Sequence, residues 1–156
     1  MERDKLSKIL KEKFEVEIPN NLNIYQTKEK IYIFEKGVEK ILNDLKNKKV
    51  NIQMYGIYFG KEKTNNIQLS VEGSQIIGKY AKKGLFEFKS REEFERFLKG
   101  EELELPKELE NEINYPIAKY KDYFGGSIFI DRKRKKIVTR LSKGRRAILI
   151  SWINSF

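Results

Sequence analysis

The chain has 156 residues, with 33 Lys and Arg against 23 Asp and Glu, a formal net charge of +10, and neither histidine nor cysteine. Those two absences exclude disulfides, thiolate nucleophiles, zinc sites of the usual ligands and the commonest general base, while carboxylate, Lys, Tyr or Ser chemistry and an oxygen-ligated Mg²⁺ remain open. Hydrophobic content of 39% suffices for one domain or two small ones, no apolar run reaches the roughly 18 residues of a membrane span, and MERDKLSKIL lacks a signal-peptide apolar region, so a globular cytoplasmic protein with no membrane partner is expected.

Leu6, Ile9, Leu10 and Phe14 recur at helical spacing and predict a packing helix over residues 3–14. Pro19, Asn20 and Asn21 break the chain before two strand-like pieces, 22–26 and 30–34, joined by a polar turn as a hairpin. Val38, Ile41, Leu42 and Leu45 return to helical spacing over 36–48. Residues 50–61 and 65–71 are strand-forming, with a turn at 61–66 between them. Gly56 and Gly60 do not make a nucleotide loop, because no Lys-Ser or Lys-Thr follows and no helix starts there.

A short helix is expected over 73–82, ended by Gly84, with a domain boundary near residue 80. Residues 85–88 read as a strand, and Ser90-Arg91-Glu92-Glu93 is a capping box for a helix that turns Phe94, Phe97 and Leu98 inward. From Arg91 to Glu112 nine Glu face four basic residues, a local net of −5. Leu103 and Leu105 alternate with Glu102 and Glu104, which points those carboxylates to solvent and argues against an acid-base or metal pocket.

The last part of the chain reverses the sign. After residue 116 there are 11 basic residues against Asp122 and Asp131, a net of +9. Strands are expected at 127–130, 136–141 and 147–151, with the charge on their turns. Such a concentration suits a polyanion, because Lys and Arg that neutralise phosphates release condensed counterions. Tyr120 and Tyr123 lie beside it, as stacking residues do on single-stranded RNA surfaces. The acidic stretch either neutralises this surface or forms a back face that confines a polyanion to the front.

The segments GIYFGKEKTNNIQLSVEGSQIIGKYAK (56–82), 85–88 and FLKGEELEL (97–105) resemble the two-domain PUA proteins of archaeal and eukaryotic ribosome assembly, small large-subunit biogenesis factors. The closing LSKGRR (141–146) is similar to the PUA-like RNA-binding tail of Fmu/Sun-type rRNA cytosine-5 methyltransferases. The resemblance implies an α+β architecture: an N-terminal α/β pre-PUA domain, an antiparallel sheet with helices, over 1–80, then a small PUA-like β-barrel over 81–156. It implies RNA binding by Lys143, Arg145 and Arg146, to which charge adds Arg132, Lys133, Arg134, Lys135, Lys136 and Arg140. The chain departs from the family where KKIVTRLSKG replaces the usual glycine-rich strand. It also lacks the Cys nucleophile and glycine-rich cofactor loop of a methyltransferase.

The expectation is thus a non-enzymatic protein without cofactor or metal. Its partner is RNA, rRNA before tRNA. The rival is an assembly factor that docks a ribosomal protein or an rRNA methyltransferase, with the basic face non-specific.

Overall fold

A computed structural model describes residues 3–37, 47–48, 56–141 and 144. Helix α1 (Arg3–Phe14) turns the predicted Leu6, Ile9, Leu10 and Phe14 into the core, all nearly inaccessible. Strands β1 (Leu22–Thr27), β2 (Lys30–Glu35), β3 (Ile57–Lys63) and β4 (Asn66–Leu69) form an antiparallel sheet in chain order. Ile31, Ile33, Ile67 and Leu69 face α1, and the alternate positions face away.

The 36–48 helix and the strand at 147–151 fall mostly or wholly outside the described residues. Several boundaries differ from the sequence expectation, and two of them have a local cause. The turn between β3 and β4 occupies only Thr64 and Asn65, with Asn65 in the left-handed region at φ 51°. Helix α2 starts at Val71, not Gly73, and runs to Gly78 because Ser70 is its cap: Ser70 Oγ accepts from the Gly73 N–H at 2.9 Å.

The second sheet has the order β5-β7-β8-β9-β6, from β5 (Leu85–Glu87), β6 (Leu103–Glu104), β7 (Ile117–Tyr120), β8 (Tyr123–Asp131) and β9 (Lys136–Thr139). Strand β5 is parallel to β7 and the other pairs are antiparallel. The first half of β8 pairs with β7 and the second with β9, and this stagger curls the sheet into a half-barrel. Helix α3 (Arg91–Leu98) follows the predicted cap, with Ser90 Oγ accepting from the Glu93 N–H. It drops Phe94, Phe97 and Leu98, each 0% exposed, into the concave side. Fold class is α+β, as expected at that level.

The two sheets are stitched together across the expected boundary near residue 80. Ile117 and Phe124 belong to the core under the first sheet, and Val71 to the core of the second. The Leu69 N–H donates to Ser127 Oγ at 2.7 Å. Ser74, 0% exposed, donates to the Val71 carbonyl and accepts from the Gly126 N–H. These are buried polar groups with partners, so they fix the two halves in register.

Candidate functional site

The β8–β9 hairpin carries the described part of the predicted basic surface. Its two ends differ. At the tight turn, residues 132–135, the acidic segment folds over the cations. Antiparallel pairing sets Glu104 directly across from Lys136, and Lys136 Nζ reaches Glu104 Oε1 at 2.5 Å. Arg134 donates through both terminal nitrogens to the two carboxylate oxygens of Glu102, which raises its pKa above the already high value of a guanidinium. Arg132 donates to the Glu110 carbonyl. Lys133 and Lys135 are exposed. Glu102 and Glu104 are therefore exposed, as the alternation predicts, and are also engaged across the strand. Such solvated pairs contribute little to stability.

The other end of β9 lies about 13 Å away, four residues at strand rise. There Arg140 stacks its guanidinium 3.9 Å from the centre of the Phe129 ring. It opens onto a groove of about 240 Å³ where the first sheet meets the hairpin, lined by Lys30, Tyr58, Lys61, Gln68, Ser127 and Arg140 among others. Cross-strand register places Lys30 opposite Lys61 and Lys61 opposite Gln68, so one row of three strands presents them on the face away from α1. Among the described residues no carboxylate lines this groove. Lys61 also pairs with Glu29 at 3.6 Å, a residue outside the lining. Ser127 is 4% exposed, and its Oγ accepts from Leu69. Among the described residues its hydroxyl hydrogen has no acceptor.

Of the sequence-predicted site residues, Arg132, Arg134 and Lys136 are thus brought onto the acidic segment, and Arg140 is brought to Lys30 and Lys61. Lys143, Arg145 and Arg146 lie outside the described residues. Tyr120 and Tyr123 are half-buried against the second core, with the Tyr120 ring 5.9 Å from Phe94. Lys30 and Lys61 escaped the sequence reading because their meeting depends on strand pairing across 31 positions; the Lys28–Lys30 and Lys61–Lys63 pairs were the local trace of it.

A second concavity, of about 510 Å³, lies between the two edge strands of the half-barrel, β5 and β6. Phe86, Phe88, Leu103, Leu105 and Ile137 give it an apolar floor, and its rim mixes both charges. Among the described residues no group of three or more carboxylates is placed to hold a metal ion, and no helix is long and apolar enough to cross a membrane. No family model matches the chain, and no curated protein matches it.

Proposed function

We propose that the chain is a non-catalytic RNA-binding protein that grips the sugar-phosphate backbone in the groove between its first sheet and the β8–β9 hairpin. The observation that carries this is the meeting of Lys30, Lys61 and Arg140 in a concavity that no carboxylate lines among the described residues, in a chain whose net charge is +10. Cations gathered in a concave site focus potential on a polyanion. The likeness of residues 56–105 and 141–146 to PUA proteins favours a PUA-like second half and rRNA, in ribosome assembly or rRNA modification, over tRNA. The +9 segment continues from Arg140 through Lys143, Arg145 and Arg146, which supports the same ligand.

The test is affinity for a labelled RNA across a salt series, for the wild-type chain and for Lys61→Ala with Arg140→Ala. Weaker binding and a shallower slope of log K against log salt support the groove. An unchanged slope counts against it.

The apolar floor between β5 and β6 favours a second reading, an assembly factor that docks a ribosomal protein or an rRNA methyltransferase. Pull-down from extract with and without nuclease separates the two: partners retained after nuclease support docking.

A further inference from the structure

We infer that the groove admits a single RNA strand and not a duplex, one backbone phosphate descending to its floor; the inference rests on the RNA-binding reading above. Among the described residues every charged side chain lining the groove is a cation, Lys30, Lys61 or Arg140. The neutral polar side chains there add donors, the Gln68 amide and the Ser127 hydroxyl. A lining of this kind matches a group with several acceptor oxygens and no proton to give, which is a phosphodiester.

Depth decides between single strand and duplex. Arg140 and Lys30 are exposed at the rim, Lys61 and Gln68 are half-buried, and Ser127 is 4% exposed at the bottom. The donors therefore form a descending series, and the Ser127 hydrogen, unclaimed among the described residues, waits at the lowest step. A phosphate on the outside of a rigid A-form helix is carried on a broad convex cylinder and meets only the rim. A single strand can bend its backbone into a concavity of about 240 Å³, as strand-specific readers require. Tyr58 supplies an aromatic wall against which the adjoining sugar or base can rest.

Rim cations and floor donors make separable contributions. Loss of a cation reduces counterion release, lowering the salt slope by about 0.7 per phosphate contact on a single strand. Loss of a neutral floor donor leaves the slope alone and weakens binding by about 3- to 10-fold.

The experiment is fluorescence anisotropy with a labelled 12-nucleotide oligouridine and with a labelled RNA hairpin of 12 base pairs, across a salt series. The variants are Arg140→Met, Gln68→Met and Ser127→Ala. The Gln68 side chain makes no hydrogen bond among the described residues, so Gln68→Met keeps the test valid if Ser127→Ala, which strands the Leu69 N–H, fails to fold. Expected are preference for the oligouridine, a lower salt slope for Arg140→Met, and weaker oligouridine binding at unchanged slope for Gln68→Met. Equal affinity for hairpin and oligouridine, or a Gln68→Met variant that binds as the wild type does, overturns the single-strand inference and leaves RNA binding standing. Failure of the wild-type chain to bind either RNA removes the RNA-binding reading and the inference together.

Discussion

Arg134 holds both carboxylate oxygens of Glu102, so the basic turn meets its counterion on the segment that leads into β6. With Lys136 on Glu104 and Arg132 on the Glu110 carbonyl, the turn is occupied at three points, while Arg140 at the other end stacks on Phe129 and faces the groove. Because the carboxylates are solvated, the pairs are weak and a polyanion can compete with them. Glu102→Gln with Glu104→Gln is expected to raise affinity for RNA at low salt by about 2- to 5-fold and to leave the melting temperature almost unchanged. Anisotropy and a thermal melt measure the two effects; affinity equal to wild type would show that the turn takes no part.

Gly73 sits inside helix α2, where an alanine would ordinarily stabilise by about 1 kcal/mol. Here a Cβ would stand 2.2 Å from the backbone carbonyl oxygen of Phe59 and 3.3 Å from the Leu69 side chain. A backbone oxygen in a paired strand cannot yield as a flexible side chain does, so overpacking wins. Gly73→Ala is expected to destabilise by about 1–3 kcal/mol net, read as a lower midpoint in urea with unchanged m.

Ser74 joins α2 to β8 through the buried N–H of Gly126, a residue at φ +83°. Ser74→Ala leaves that N–H without its partner and is expected to cost about 1–3 kcal/mol. Since the same residues tie the two sheets, the variant should still melt in one transition seen equally by far-ultraviolet and tyrosine signals. Two separated transitions would mean that the halves are independent.

Glu62 accepts from Lys5 Nζ and from Gln26 Nε2, each at 2.7 Å, and these hydrogen bonds, the one to Lys5 above all, hold its carboxyl below the ordinary value of 4.5. A depressed acid contributes stability above its unfolded pKa and loses that contribution as pH falls through the folded value. The melting-temperature difference between wild type and Glu62→Gln should therefore be present at pH 7 and shrink below about pH 4.5. A difference that stays constant to pH 3 would assign the effect to packing.

How legible was all this from the residues alone? Helix α1, the first hairpin and the Ser90 cap could be read directly, because apolar spacing and cap chemistry act over three or four residues. The start of α2 could not, since Ser70 also fits the end of an alternating strand and only its bond to Gly73 shows that it caps. The charge tally located the basic surface and left open whether the acidic stretch would neutralise it. It does so at Arg134 and Lys136 and not at Arg140, a division set by which residues the two-residue strand β6 happens to face on β9. Lys30 and Lys61 were illegible as a pair for the same reason, namely that register between distant strands is a property of the whole sheet.

The most direct measurement is ultraviolet crosslinking of the wild-type chain to a bound RNA, with the attached peptides identified by mass spectrometry. The account predicts adducts at Tyr58 and in the peptides that carry Lys61, Gln68 and Arg140, which line one groove. Adducts confined to residues 132–136, or none on any residue of the groove, would contradict it.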